Sequence, residues 1–158
     1  MVKLTPRMKD WIEGLGCHIC TASTKGMPTV TISRYAKVIS DDEVAFALAK
    51  DEYAIIKPDL DENPWVAFSV SHLGVVKAPY QFKGVASIIT SGPLYDQIAA
   101  EAKNLGIETS VVLLVKVREI YCTRPGPQAG WRLDTRPYEE NLKLDEKWSP
   151  PKPPPRPQ

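Results

Sequence analysis

The alternation of apolar and polar residues divides this chain into a series of short strands. The longest runs from Tyr80 to Thr90, rich in aromatic and β-branched residues. Gly84 is its one break, which predicts a bulge or a close backbone approach. Ser91 and Gly92 then offer N-cap chemistry and Pro93 suits a first helical turn, so this strand leads into a helix. Leu94, Ile98, Ala102 and Leu105 share one side of that helix, and Gly106 ends it.

Upstream, Thr5 and Pro6 signal the start of a short helix whose apolar stripe is Met8, Trp11, Ile12 and Leu15. Cys17 to Ser23 reads as a first strand, with Thr24 to Met27 as a hairpin turn. Pro28 to Ile39 reads as the second strand. Val30, Ile32, Ala36 and Val38 fall on its apolar face, and Thr29, Thr31, Ser33, Tyr35 and Lys37 on the other. Arg34 interrupts the apolar register: either a bulge turns it outward, or it reaches an anion or a partner subunit. The small polar face at Thr31 and Ser33 suits close approach of a flat ligand. Glu43 to Leu48 is a third strand, 49–52 a polar loop, and 53–62 an irregular or briefly helical stretch interrupted by Pro58. Trp65 to Ser71 is a fourth strand, followed by a loop over 72–79. Ser110 to Tyr121 is the sixth and last, its run from Val111 to Val115 suited to burial on both faces.

Six strands at hairpin spacings with few helices predict a small antiparallel barrel. At 158 residues a single domain is expected, with 1–133 as the folded part and its C-terminal arm. Residues 134–158 are expected as a Pro-rich tail, because six of the 15 prolines lie beyond Trp148. "SPPKPPPRP" predicts a polyproline II segment, suited to packing on its own dimer or to an SH3-like reader. Net charge is +1, from 20 basic and 19 acidic residues, which argues against a broad nucleic-acid or anionic-membrane surface. With no apolar span and no apolar signal-peptide core, the expected location is cytoplasmic.

Cys17-His18-Ile19-Cys20 invites a metal or redox reading, but in a strand residues three apart face opposite ways. The order is also wrong for c-type haem attachment, so no metal site is expected.

"TASTKGMPTV", "RYAKVISDDEVAFAL", "LDENPWVAFSV", "YQFKGVASI" with "SGPLY", and "VKVREIY", in this order, resemble the FMN-binding split-barrel proteins, the pyridoxamine 5′-phosphate oxidase-like superfamily. The resemblance spans roughly residues 15–133. It implies a mainly β fold with short helices, a six-stranded antiparallel split barrel that forms a homodimer with FMN in clefts between subunits. It implies an oxidoreductase or flavin-dependent electron carrier; the chain shows no acid/base pair or triad, so no catalytic residue is assigned. Carried over by position, the flavin contacts are Thr31, Ser33 and Arg34 on the second strand, then Ala49 and Lys50 after the third. Trp131 and Arg132 would close the site from the arm. Relatives carry a basic pair for the FMN phosphate where this chain has Ile55 and Ile56, so Lys50 or Lys57 would take that role. Alternatives are a relative using F420 or haem, or a cofactor-free dimeric binding or scaffold module.

Overall fold

A computed structural model describes residues 1–70 and 80–148. The loop over 72–79 and the polyproline segment expected from the sequence lie outside these residues.

The first helix forms where its cap predicts. Helix α1 spans Pro6–Ile12, with the Thr5 hydroxyl accepting the Met8 N–H. It buries Met8, Trp11 and Ile12. Seven strands follow among the described residues: β1 Cys17–Ala22, β2 Pro28–Ser33, β3 Tyr35–Val38, β4 Glu43–Leu48, β5 Trp65–Val70, β6 Tyr80–Ile89 and β7 Val111–Cys122. They form one antiparallel sheet in the order β2-β1-β5-β6-β7-β4-β3. The two edge strands are consecutive in the chain, so the sheet curls until its edges nearly meet at Arg34.

Seven strands replace the expected six because the segment 28–39 breaks at this corner. The Ser33 Oγ lies 2.8 Å from the Tyr35 carbonyl and 2.9 Å from that of Ala47, tying the corner to β4. Gly16 packs against it with φ +114°, and a Cβ there would stand 2.6 Å from the Ser33 carbonyl oxygen. The break also reverses the expected faces. Thr31 and Ser33 are buried, while Val30 and Ile32 are 55% and 39% exposed; beyond Arg34, Ala36 points inward again.

Two helices were not legible as such. Lys50–Glu62 is a 13-residue helix, α2, in place of the polar loop and irregular stretch. Its first turn is held by the Glu52 carboxylate, which accepts the Ala49 N–H at 2.8 Å. Pro58 removes one internal hydrogen bond, but side-chain contacts tie the helix to the sheet: Thr21 donates to Asp59 at 2.7 Å and Thr31 to the Glu52 carbonyl at 2.9 Å. Helix α3 spans Pro93–Lys103. In the stretch that composition did not separate from the proline-rich tail, Tyr138–Lys147 forms α4, with Asn141 and Asp145 buried.

The main core lies inside the curled sheet, where Phe68 stacks on Phe82 at 4.9 Å and meets Phe46 edge-on at 5.0 Å. A second cluster packs Ile98 and Ala102 of α3 on Ala45, Ala47 and Val112. No helix among the described residues is long and apolar enough to cross a membrane.

Candidate cofactor site

The start of α2 gathers most of the residues expected at the cofactor. Arg34 leaves the β2–β3 corner outward, and its Nε donates to the Glu52 carboxylate at 3.2 Å. Thr31 meets the carbonyl of the same residue, and Ala49 and Lys50 begin the helix. The Ser33 hydroxyl sits at this corner but is buried and engaged by the backbone of β3 and β4. Lys57 lies farther along α2, exposed and paired with Asp61 at 2.7 Å, and that bond raises its pKa.

Trp131 and Arg132 stand elsewhere on the chain. Arg132 is paired with β7 through a bridge to Tyr121, and its guanidinium lies over that ring at 5.6 Å. Its Nε donates to Asp134 at 3.0 Å. Arg136 covers the Trp131 ring at 4.7 Å. Thr31, Ser33, Arg34, Ala49 and Lys50 therefore share one neighbourhood, while Lys57 and the arm pair stand apart from it.

Two grooves flank the first turn of α2. One, of about 360 Å³, is lined by His18, Val30, Thr31, Ile32, Asp51, Glu52 and Ile55. Its walls are apolar and open, with Ile55 52% exposed. The Ile55–Ile56 pair is thus split: Ile55 faces this groove, while Ile56 is fully buried in the core. The other groove, of about 350 Å³, is lined by Ala49, Lys50, Asp51, Glu108, Thr109 and Ser110. Thr109 and Ser110 carried no sequence signal beyond being a hydroxyl pair ahead of an apolar run. Together the two grooves form an apolar slot and an adjoining polar one that carries Lys50, Asp51, Glu108, Thr109 and Ser110.

The sheet surface beside the first groove is also apolar. Cross-strand register aligns Ile32 with His18, Val30 with Cys20, Cys20 with Ala67, and Trp65 with Val85. Trp65 is 46% exposed. Cys17 and Cys20 face opposite sides of β1, one buried and one half-buried. Among the described residues no group of three or more His, Cys, Asp or Glu side chains is arranged to hold a metal ion.

No protein-family model matches the sequence, and no curated protein does. Solved structures do match. HupZ of group A Streptococcus aligns with a TM-score of 0.65 at 22% identity, covering 80% of this chain and 99% of its own. An FMN-binding protein from Syntrophomonas wolfei aligns at 0.57 and 17%, covering 75% and 83%. The heme storage protein HutZ of Vibrio cholerae aligns at 0.54 and 16%, covering 77% and 95%. Likeness at these identities is one of fold. Structures assigned to the pyridoxamine 5′-phosphate oxidase group share it, and the fold that this chain adopts is their split barrel.

Proposed function

We propose that this protein is an FMN-binding flavoprotein, an oxidoreductase or electron carrier, acting as a two-fold homodimer of the cytoplasm. The observation that carries this reading is the open apolar groove of Val30, Ile32 and Ile55 beside the start of α2. Apolar walls of this kind suit a flat conjugated ring, and the adjoining face of β1, β2 and β5 suits a second copy of the chain. The arm pair Trp131 and Arg132, remote from the groove on one chain, would complete it from the partner. Arg34 acts by holding Glu52, and Thr31 by fixing the same turn to β2. FMN supplies the electron transfer when bound, and the chain supplies binding, orientation and electrostatics.

The test is the absorbance spectrum of the purified protein before and after adding FMN. Flavin bands, or uptake of added FMN with quenched fluorescence, are expected. A colourless protein that takes up no flavin refutes the reading. A second reading, haem, is favoured by one feature: His18 stands on the rim of the same apolar groove. A Soret band without flavin bands would select it.

A further inference from the structure

The two grooves beside α2 differ in what they offer a phosphate. The Val30–Ile55 groove is lined by two carboxylates, Asp51 and Glu52, and by His18, with no lysine or arginine among its lining residues. Three donors near it, the Arg34 Nε, the Ala49 N–H and the Thr31 hydroxyl, are engaged by Glu52. A phosphate there would lie between two carboxylates and hydrocarbon, with no lysine or arginine on the walls to offset its charge.

The second groove is built otherwise. Ser110 N donates to the Leu48 carbonyl at 2.8 Å, and the Tyr95 hydroxyl to the Thr109 carbonyl at 2.8 Å. These bonds pin the loop ahead of β7 against the end of β4, directly beside the start of α2. The groove so formed is lined by Lys50, Thr109 and Ser110. Thr109 Oγ1 is buried there without a hydrogen-bond partner among the described residues. Lys50 and Asp51 open the helix, so their N–H groups have no intrahelical acceptor. Two carboxylates also border the groove: Asp51 is turned back on the Glu52 N–H at 3.1 Å, and Glu108 is exposed at the rim.

We propose that this groove is a phosphomonoester subsite, with Lys50 Nζ and the Thr109 and Ser110 hydroxyls as donors, in place of the helix face at Ile55 and Ile56. The proposal rests on the flavin reading above and adds where the phosphate goes. It also makes Glu108 a restraint on anion affinity.

The test measures dissociation constants for FMN and for riboflavin, which lacks the phosphate, by quenching of flavin fluorescence. Lys50→Gln and Thr109→Val are each expected to weaken FMN about tenfold, the loss of one charge-assisted or buried hydrogen bond, and riboflavin less than twofold. Glu108→Gln is expected to tighten FMN at low salt. Equal losses for both flavins, or none for FMN, overturn the subsite. Inorganic phosphate, followed by amide shifts in the full chain, separates this proposal from the flavin reading. If neither flavin binds, the flavin reading fails. Shifts at Thr109 and Ser110 that Lys50→Gln abolishes would still uphold an anion site, and their absence would overturn it.

Discussion

The Tyr80 hydroxyl donates to the Asp145 carboxylate across 65 residues of sequence. Thr5, the cap of α1, donates to the other carboxylate oxygen at 2.5 Å. One buried carboxylate thus joins the first helix, the start of β6 and the last turn of α4. Arg7 Nη1 donates to the carbonyls of Asp145 and Trp148, closing the C-terminal end of α4. The Trp148 ring packs on Tyr80 at 5.9 Å. The helix that follows the arm is therefore fastened by polar chemistry inside an apolar contact.

Asp145→Ala would leave two hydroxyls and a guanidinium facing a void, at a cost of about 2–4 kcal/mol in unfolding free energy. Tyr80→Phe, removing one donor, should cost about 1 kcal/mol. Burial raises the Asp145 pKa, against hydrogen bonds from Thr5 and Tyr80 and the nearby Arg7 charge, which lower it. A carboxyl whose folded pKa is raised favours the folded state below its unfolded pKa, roughly 3.9. That contribution is lost as pH rises through the folded value. Asp145→Asn should therefore remove part of the pH dependence just above pH 4 in urea unfolding. Parallel profiles for the two proteins would refute this.

Local chemistry was legible in the sequence, and long-range contact was not. Thr5-Pro6 marked α1 correctly because a cap is decided within one turn. Gly84 marked a real irregularity in β6, where register shifts between Lys83 and Gly84. A bulge at Arg34 was one alternative its place in the apolar register offered, but the reversal of faces there was not legible, since Val30, Ile32, Ala36 and Val38 keep one parity throughout. It is imposed by Gly16 and β4, which press on Ser33 from distant parts of the chain. Helix α2 was hidden by Pro58 and a weak apolar stripe, and its ties to Thr21 and Thr31 lie in other elements. The resemblance nominated Thr31, Arg34 and Lys50, which the structure places around the start of α2. Thr109 and Ser110 were not anticipated, because long-range contacts, the Ser110–Leu48 and Tyr95–Thr109 bonds and the pairing of β4 with β7, bring them to Lys50.

Gly84→Ala should prevent folding or lower the melting temperature severely. A Cβ at this position would stand 2.2 Å from the Lys116 carbonyl oxygen and 2.8 Å from Val115 Cγ1. The nearest clash is with the backbone of the paired strand, which cannot rotate away, so the cost should exceed the ~1–3 kcal/mol of ordinary overpacking. Gly26→Ala is the control: φ there is +78°, but no atom lies within 4 Å, leaving backbone strain alone. Similar thermal melts for the two variants would refute the steric argument.

The cysteines should differ in reactivity. Burial pushes the Cys17 thiol up to about 12, and its Sγ contacts the Ile12 carbonyl at 3.8 Å. Cys20, on the outer face, is half-buried and raised by burial as well. A thiol reagent under native conditions near pH 8 should therefore label Cys20 slowly and Cys17 only on unfolding. Labelling of Cys17 at the rate of Cys20 would show that β1 opens locally. Stoichiometric zinc by elemental analysis would contradict the strand geometry that separates the two sulfurs.

The outer sheet face should bury itself against a second copy. Val30 and Ile32 of β2 and Trp65 of β5 are exposed on one sheet face, with half-buried Cys20 of the intervening β1 between them, an apolar surface larger than scattered single residues would make. In a closed two-fold dimer each residue of this face appears twice, so one substitution acts from both sides. Trp65→Glu, outside the groove, would place two carboxylates in a dehydrated contact and should weaken dimerisation at least about a hundredfold, roughly 3 kcal/mol. Light scattering at micromolar concentration should give a dimer for the natural chain and a monomer for the variant. On the proposal that Trp131 and Arg132 complete the groove from a partner, cofactor uptake should fall with the dimer. A natural chain that is monomeric at that concentration would refute both the assembly and the composite cleft. A Trp65→Glu monomer that binds FMN undiminished would keep the dimer and confine the site to one chain.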